Sequence, residues 1–584
     1  MKPLPLLVGL SVLCGLALAN HAADQASSDD KRYETLAAKY IDGYFAWRPR
    51  EAVAMGLHEY DGKVADVSAP SIRREHLRLM KLRFEIREIE STDLSRAADL
   101  ERRALLASID DLVLYFDVLK IFNRNPMTYS SAFDLTVYAK RNFAPLPDRM
   151  RSAMKILAVV PKSLADARTN LDARLPRVFV KTSIEEAKGS AEFFTGDLVV
   201  AFKDVKDDAA QNELKALATS AADEMRAFAK WLETERLPQS TDDFAIGSDA
   251  YARMLREGEL ISESPKEVLS IALRELKAEQ ERFTAAAKII DPAKPAIEVY
   301  KAIQAEHPTA ESLIPETVKH LEQIRQFVVD RKIISMPSDV RVKVDLTPTF
   351  ARATSFASMD TPGPFETKAT EAFYYVTPVE PEWDAKRKEE WLTAFNYYTT
   401  DVVSIHEAYP GHYQQHLHFN ASPLSRTRKC FYSYAFVEGW AHYTEQMLLD
   451  EGFPGTGDRL RTAKYRLAQS DEALLRICRL CCSIKMHCDD MTVDEATKFF
   501  QDNCYYQEQP ARQEAVRGTY DPGYLHYTLG KLMILKLRRD WQQQEGTAYS
   551  LQRFHDTMLH HGSPPLPLLR QIMLKDRKLW DAAL

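Results

Sequence analysis

Glycine, cysteine and net charge are all scarce in this chain of 584 residues, which has 20 glycines, 7 cysteines and a formal net charge of -7. The shortage of glycine, together with abundant Ala, Leu, Glu, Lys and Arg, favours a mostly helical protein. The small net charge argues against a nucleic-acid partner, which usually requires a basic patch or stripe. Hydrophobic residues make up 45% and charged residues 28%, which is typical of a globular chain, and the length predicts two or more subdomains.

Long apolar runs are absent after the N-terminus, so we expect no stable membrane span in the mature protein. The first residues, by contrast, have the order of a secretory signal: Lys2 supplies a positive charge, residues 4–19 form the apolar segment, and an Ala-Leu-Ala cleavage site ends it. We therefore predict a signal peptide over residues 1–19 and export to the periplasm or the extracellular space. An uncleaved anchor, or a lipid anchor on Cys14, is the alternative, although Leu13 is not the small residue that a lipobox requires.

Six cysteines remain after the predicted signal, all in one window of the C-terminal half. An even number in an exported protein permits disulfides, but six cysteines allow 15 pairings and the sequence does not choose between them. A zinc site built on Cys478, Cys481 and Cys482 is a second interpretation. These three residues alternate with leucines and isoleucines at helical spacing, which favours a third role as small buried side chains.

Residues 24–339 have the pattern of successive amphipathic helices, with apolar residues three and four apart. The clearest examples are Arg73–Glu90, Leu100–Leu119, Asp207–Glu233 and Pro265–Lys288. We interpret this region as a helical wall of a cleft.

The pattern changes at residue 340, where the catalytic region 340–584 is predicted to begin. Val340–Leu346 alternates apolar and charged residues, and Phe373–Pro378 is a second β-prone run. Either run could be an edge strand beside a catalytic site, where a peptide would add as an extra strand; an ordinary hairpin is the alternative. Helical periodicity returns from Trp391, and a capping box at Thr492 begins a late helix. The predicted fold is mainly α with a small β element.

The sequence His406-Glu407-Ala408-Tyr409-Pro410-Gly411-His412 brings two imidazoles and a carboxylate close together in the chain. Zinc motifs usually space their histidines four apart, on one helical face. A spacing of six rotates the second histidine away from the first in an unbroken helix. Proline and glycine both disfavour a regular helix, so we predict that the helix bulges or ends there and that His412 turns back towards His406.

A third metal ligand is expected from the segment Phe436–Glu445, which begins Phe-Val-Glu. Glu438 is the candidate ligand, and Glu445, seven residues later on the same helical face, is expected to hydrogen-bond a ligand imidazole and fix its tautomer. His442 is a rival third ligand, while His416 and His418 are interpreted as ordinary surface or core residues. Two histidines and a glutamate around an open position, with Glu407 free beside them, are the components of zinc-assisted hydrolysis.

These two motifs resemble the bacterial DUF885 family, a group of helical proteins of unknown function placed near the zincin metallopeptidases. The resemblance extends over the mature chain, from an opening at Arg50–Gly62 to a close at His555–Leu569. The Phe436–Glu445 segment is also similar to the ligand helix of thimet-type oligopeptidases, which implies that Glu438 binds the metal. The chain departs from the family at Ser483–His487, where Asp-Thr-Gly-x-His is expected, so no functional role is carried over to Ser483.

Hydrolysis also requires a donor for the developing oxyanion. The segment Glu514–Gly530 is dense in Tyr, His and Arg, and it resembles a late segment of the family. Thimet-like enzymes use late Tyr and His residues for this task, which makes Tyr527, Tyr524 and, third, His526 the candidates. Arg517 is a candidate for binding a substrate carboxylate. The alternative is a tyrosine-rich turn that packs against a helix.

The sequence therefore predicts an exported, Zn²⁺-dependent metallohydrolase, with a peptide or small-molecule substrate. In this interpretation His406, His412 and Glu438 bind the metal, and Glu407 is the general base of a metallopeptidase that cleaves short peptides. A zinc hydrolase of non-peptide amides or esters would use the same site. A non-catalytic, metal-stabilised helical binding protein is the third interpretation, which a free Glu407 argues against. The oligomeric state is left open.

Overall fold

The computed structural model describes residues 28–348, 352, 356–455 and 457–584. The predicted signal peptide, residues 1–19, lies outside this described part of the chain. The described chain is mainly α-helical with one three-stranded sheet, which confirms the predicted fold class. No helix in the described residues is both long enough and apolar enough to cross a bilayer.

The first half of the molecule consists of helices, as the periodicity predicts. Four of them, α3, α4, α12 and α14, match the four predicted helices to within a few residues. The helices are α1 (Ser28–Trp47), α2 (Pro49–Ala54), α3 (Ala69–Arg87), α4 (Arg96–Asp117), α5 (Ile121–Arg124), α6 (Met127–Ser130), α7 (Thr136–Lys140), α8 (Leu146–Leu157), α9 (Val160–Asn170), α10 (Arg177–Thr195), α11 (Asp197–Ala201), α12 (Asp208–Trp231), α13 (Ser248–Arg253), α14 (Pro265–Ile290), α15 (Ala296–Gln304) and α16 (Leu313–Asp330).

The second half carries the sheet and eleven further helices. Thr492 and Glu495 form both hydrogen bonds of the predicted capping box at the start of α23. The helices are α17 (Ala385–Ala394), α18 (Tyr397–Glu407), α19 (His412–Ala421), α20 (Arg426–Lys429), α21 (Tyr434–Asp450), α22 (Arg459–Cys488), α23 (Val493–Cys504), α24 (Glu508–Tyr520), α25 (His526–Glu545), α26 (Leu551–Leu559) and α27 (Leu566–Met573).

The sheet has the strand order β1-β3-β2, with β1 at Lys343–Leu346, β2 at Ala357–Asp360 and β3 at Phe373–Val376. The two predicted β runs become β1 and β3, but they pair in parallel and so do not form a hairpin with each other. The strand that the sequence did not predict, β2, pairs antiparallel with β3 and forms an edge. Its four residues, Ala-Ser-Met-Asp, include none of the β-branched or aromatic residues that favour strands, which explains why the sequence did not predict it.

The division predicted at residue 340 does not separate hydrophobic cores. The largest core combines side chains of α14 and α16 with those of α18, α21, α22 and α25. Helix α14 packs along α22, so the end of the predicted wall region is built into the same core as the predicted catalytic region. A second core lies mainly within residues 122–232, and a third joins α1, α3 and α4 with Phe431 and Leu568. Helical periodicity shows that a helix buries one face, but not which partner covers it.

All six cysteines of the described chain are free thiols. Cys478, Cys481 and Cys482 are buried on α22, and Cys504 is buried at the end of α23. Burial raises the pKa of the Cys481 thiol to about 12, which keeps it protonated. The buried thiols therefore fill space in the core, as their helical spacing indicates.

Candidate metal centre

The helix that carries His406 ends immediately after Glu407, and a new helix begins at His412. The peptide bond between Tyr409 and Pro410 is cis, and the Gly411 N–H donates to the Ile405 carbonyl at 3.0 Å. A Cβ on Gly411 would lie 1.8 Å from the His406 carbonyl oxygen, so only glycine fits this turn. The structure thus has the break that the six-residue spacing requires, and the two imidazole rings lie nearly perpendicular with centroids 4.8 Å apart.

Helix α21, which carries Glu438, is held against this turn. The Trp440 indole N–H donates to the carbonyls of Pro410 and Gly411, at 3.0 and 3.3 Å. On its other side α21 approaches α25 through two glycines: a Cβ on Gly530 would lie 1.9 Å from the Ala435 carbonyl oxygen. The close packing of α21 between the turn and α25 fixes where its side chains point.

Three side chains converge at the centre: His406, His412 and Glu438. Nε2 of His406 and Nε2 of His412 each lie 3.5 Å from the same oxygen, Oε2 of Glu438. Ligand atoms of all three residues lie within 4.8 Å of one another, and this is the one such group found among the described residues. A tetrahedral zinc ion with bonds of about 2.0–2.1 Å places neighbouring ligand atoms about 3.3–3.4 Å apart. The spacing and the His₂Glu donor set therefore fit zinc.

Glu445 orients the imidazole of His406 through a hydrogen bond from its Nδ1 atom. Its Oε1 lies 2.7 Å from Nδ1 of His406, and its Oε2 lies 3.0 Å from Nδ1 of His442. A carboxylate can only accept, so both Nδ1 atoms carry a proton, and Nε2 is the nitrogen of His406 that faces the centre. Arg476 lies 3.4 Å from Glu445 and balances its charge. Glu445 therefore hydrogen-bonds His406, as the helical spacing predicted.

The electrostatics of the centre favour a positive charge between the ligands. Burial alone would raise the pKa of Glu438, but the charges and hydrogen bonds of His412 and His406 outweigh it and hold that pKa far below its usual range. Burial would lower the pKa of His406, yet the hydrogen bonds to Glu438 and Glu445 raise it to about 9. The same surroundings that hold a proton here would hold a divalent cation.

Glu407 lies beside the ligand set and is held by the sheet. Its Oε2 accepts a hydrogen bond of 3.1 Å from the backbone N–H of Met359 in β2. That N–H points away from β3, because Glu407 and not the neighbouring strand is its partner. Glu407 does not belong to the ligand group and is only half-buried, so its second oxygen is accessible.

Among the predicted oxyanion donors, Tyr527 packs against two arginines, one of which contacts Glu445. Its half-buried ring lies beneath the guanidinium groups of Arg476 and Arg479, at 5.8 and 5.3 Å, and 5.7 Å from the Tyr434 ring. Arg476 also contacts Glu445, so a single side chain separates Tyr527 from the residue that orients His406.

The structure does not support the same role for Tyr524 or His526. Tyr524 is fully buried and packs under Gly518, where a substrate cannot reach its hydroxyl. His526 is also buried, and burial lowers its pKa to about 3, so its ring is neutral. Arg517 is already engaged, since its guanidinium donates to Asp521 at 3.0 Å and to the Tyr434 hydroxyl at 3.2 Å. These neighbouring residues therefore differ in exposure: Tyr524 and His526 are buried, whereas Tyr527 is half-buried.

The three other histidines near the motifs stay outside the ligand group. His442 is fully buried and its Nδ1 is bound to Glu445. Nε2 of His418 lies 2.9 Å from the Ser335 carbonyl, and Nε2 of His416 lies 2.9 Å from the Asn420 amide. Each of the three has a structural partner of its own.

Sequence reasoning missed Met359, Tyr432 and Tyr434. Both tyrosines precede Glu438 closely in the chain, and the Tyr434 ring lies 5.7 Å from the Tyr527 ring. Tyr432 is 64% exposed, so it can contact a substrate. Their position directly before the Phe436–Glu445 segment was the available signal. The sequence gives no indication of the role of Met359, because this residue contributes only its backbone N–H to Glu407.

Two solved structures share the fold over nearly their whole length. One is described as a "putative lipoprotein of unknown function" from Shewanella oneidensis, with a TM-score of 0.77, 23% identity, and coverage of 93% of this chain and 100% of that chain. The other, a "putative lipoprotein" from Colwellia psychrerythraea, has a TM-score of 0.77, 17% identity and coverage of 95% and 100%. At these identities the likeness shows the fold alone.

A more distant likeness is to a Pyrococcus furiosus carboxypeptidase, with a TM-score of 0.40, 11% identity and coverage of 95% and 98%. No curated protein matches this chain in sequence at a significant level. The family described as "Bacterial protein of unknown function (DUF885)" matches residues 49–573, which is most of the chain. The chain therefore belongs to the DUF885 family.

Proposed function

We propose that this protein is a zinc-dependent hydrolase, and specifically a metallopeptidase that cleaves short peptides. The observation that carries the proposal is the convergence of His406 and His412 on one oxygen of Glu438, each at 3.5 Å, with Glu407 beside them. A structural zinc site usually closes its fourth position with a protein ligand, whereas a hydrolytic site leaves it open. Three ligands and a free carboxylate match the hydrolytic type.

His406, His412 and Glu438 would hold the metal. Zinc, when bound, supplies a Lewis acid for the substrate carbonyl and lowers the pKa of water. The hydrogen bond from His406 to Glu445 fixes the tautomer and increases the basicity of the ligand imidazole.

Glu407 is the general base of the proposed reaction. Its Oε2 is occupied by the Met359 N–H, which leaves Oε1 to accept a proton from the attacking water. The same oxygen then delivers that proton to the leaving amine. The Met359 N–H orients the carboxylate without neutralising it, so Glu407 remains available as a base.

The edge strand β2 favours a peptide over other amides and esters. In an antiparallel strand, N–H and C=O groups of alternate residues point to the same side. The outward N–H of Met359 therefore implies that the backbone groups of Ala357 point to the same edge. This edge has no strand partner among the described residues. Because the Met359 N–H is held by Glu407, an extended peptide would pair with the outward groups of Ala357 and bring its carbonyl to Glu407.

Tyr527 is the proposed donor for the oxyanion. Its ring is held by Arg476 and Arg479, and of the four predicted residues it is the one that lies next to the ligand network with a half-exposed side chain. A donor fixed before the reaction stabilises developing charge without reorganisation.

Export is part of the proposal. The apolar segment at residues 4–19 has the pattern of a secretory signal, and both structural relatives are described as a "putative lipoprotein", which fits export with or without a lipid anchor. Periplasmic or extracellular peptides would then be the substrates.

A quenched-fluorescence peptide library tests the proposed reaction. The wild type should cleave peptides, a chelator should abolish cleavage, and Glu407→Gln should lower kcat by about 10²–10⁴-fold while the metal is retained. The matched control is Glu382→Gln, which removes an exposed carboxylate outside both motifs and should have no effect. Chelator-sensitive hydrolysis of ester or amide dyes without peptide cleavage would contradict the peptidase assignment. Full activity in Glu407→Gln would contradict the mechanism.

A further inference from the structure

A cavity of about 320 Å³ lies beside the N-terminal end of α21. Its walls are unusually rich in tyrosine, and several of the rings are presented by α1, α4 and the segment before α21. The tyrosines that line it are Tyr40, Tyr44, Tyr115, Tyr432, Tyr434 and Tyr520. Aromatic rings present a negative face, so a cage of them attracts cations.

The cavity is also acidic. Asp111, Glu259 and Asp521 line it, whereas no lysine or arginine does among the residues that the structure describes. Asp521 is neutralised from outside by Arg517, which donates to it at 3.0 Å. His526 lines the cavity as a neutral ring, because burial lowers its pKa to about 3. The remaining two carboxylates have no cationic partner in the described chain.

Glu259 has a structural role that Asp111 lacks. Its carboxylate accepts hydrogen bonds from Ser433 Oγ at 2.5 Å and from the Ala435 N–H at 3.1 Å, which anchors the start of α21. Asp111 forms no hydrogen bond and no ion pair with the described residues, and it faces Gly258, where a Cβ would lie 3.3 Å from its Oδ1. Burial without a compensating cation raises the pKa of Asp111 to about 6. Asp111 is half-buried in the cavity wall, so its carboxylate is available to pair with a ligand cation.

The cavity lies at the start of the helix that carries Glu438. Ala435, which Glu259 holds, precedes Glu438 by three residues on α21, a rise of about 4.5 Å. Tyr432 and Tyr434 line the cavity and lie six and four residues before Glu438 in the chain. A substrate whose scissile bond lies at the metal could therefore reach the cavity with a group one or two residues away.

We propose that this cavity, centred on Asp111, binds a cationic amino group of the substrate. The group is either the free α-ammonium of a peptide or the side chain of a lysine. The assignment rests on the proposed peptidase function, and it specifies the substrate class: short peptides with a positive charge near the cleaved bond. Tyrosine rings and an unpaired carboxylate supply the recognition.

Binding of four alanine-based pentapeptides to the full chain, measured by calorimetry, tests the proposal. The peptides have a free N-terminus, an acetylated N-terminus, an acetylated N-terminus with one internal lysine, and the same peptide with acetyl-lysine. The host protein is Glu407→Gln, so that cleavage does not deplete the peptides. We expect at least one charged peptide to bind about tenfold more tightly than its neutral counterpart. The free-N-terminus and lysine arms identify which amino group is bound.

Asp111→Asn in the same background should remove the preference for the charged peptide, while Asp111→Glu should retain part of it. The matched control is Glu88→Gln, which removes an exposed carboxylate on the surface and should leave the preference unchanged. Equal binding of charged and neutral peptides would overturn the proposal, as would a preference that persists in Asp111→Asn. Charge-selective binding without wild-type cleavage would contradict the proposed function alone, and cleavage without charge selectivity would contradict this inference alone.

Discussion

Oε1 of Glu445 accepts a hydrogen bond from Nδ1 of His406 at 2.7 Å, and Oε2 of the same carboxylate lies 3.0 Å from Nδ1 of His442. One buried carboxylate thus fixes the tautomers of two buried imidazoles, and Arg476 balances it at 3.4 Å. The arrangement matters because His406 can bind a metal only through Nε2 if its proton is held on Nδ1.

Glu445→Gln should weaken metal binding by about 10–100-fold. An amide offers one acceptor and one donor, so it cannot accept from both imidazole N–H groups, and one histidine must change tautomer or lose its partner. Competition titration against a chromophoric chelator measures the affinity, and circular dichroism checks that the variant is folded. Unchanged affinity in a folded Glu445→Gln would show that the carboxylate does not orient the ligand.

Gly411→Ala should prevent the turn that returns His412 to the centre. The new Cβ would lie 1.8 Å from the His406 carbonyl oxygen, which is backbone and cannot move aside without breaking the turn. We expect lost metal content and a lower melting temperature. Gly189→Ala is the matched control: it lies in α10 with open space around it, and it should stabilise the protein by about 0.5–1 kcal/mol. A Gly411→Ala protein with full metal content would contradict the described turn.

Tyr527→Phe and Tyr524→Phe should distinguish the roles of two tyrosines that lie three residues apart in the chain. Removal of the Tyr527 hydroxyl should lower kcat by about 10²-fold if it stabilises the oxyanion. Removal of the Tyr524 hydroxyl, which is buried without a hydrogen-bond partner, should leave kcat unchanged and stability equal or higher. Steady-state kinetics and thermal unfolding of both variants provide the comparison. The reverse pattern would assign the donor to Tyr524.

Asp111 should reduce folding stability as the pH rises. Burial raises its pKa to about 6 in the folded protein, against about 3.9 in the unfolded chain, so the folded state binds the extra proton. Its favourable contribution is fully present below pH 4 and is lost as the pH rises through 6. Asp111→Asn, which cannot ionise, should therefore gain stability relative to the wild type between pH 4 and pH 7.

Denaturant unfolding of both proteins at several pH values measures this difference. The charged groups and tyrosines facing Asp111 are Glu259, Asp521 and Tyr115, and all are retained in the variant. A stability difference that does not grow with pH would show that Asp111 has a partner in solution.

The sequence predicts much of the local structure, because periodicity and turn chemistry are local. The helices around α3 and α14, the capping box at Thr492 and the break at Pro410-Gly411 all follow from residues within a few positions. The grouping of His406, His412 and Glu438 follows too, since that break leaves few ways to place the second histidine.

What the sequence cannot supply depends on contacts between distant segments. The edge strand β2 forms because β3 and Glu407 hold it, although its own residues do not favour a strand. The difference between Tyr524 in the core and Tyr527 beside the arginines is set by a turn at Pro522 that the pattern does not orient. Packing of α14 on α22 likewise joins the two predicted halves into one core.

The measurement that tests the central claim most directly is X-ray absorption spectroscopy on the zinc-loaded full chain, with metal content determined by mass spectrometry. We predict about one zinc per chain, with nitrogen and oxygen ligands at about 2.0–2.1 Å and no sulfur ligand. His412→Ala should lose the metal, and Glu407→Gln should retain it with the same spectrum. Sulfur ligation, or a wild type that binds no zinc after reconstitution, would contradict the assignment of His406, His412 and Glu438 as the metal site.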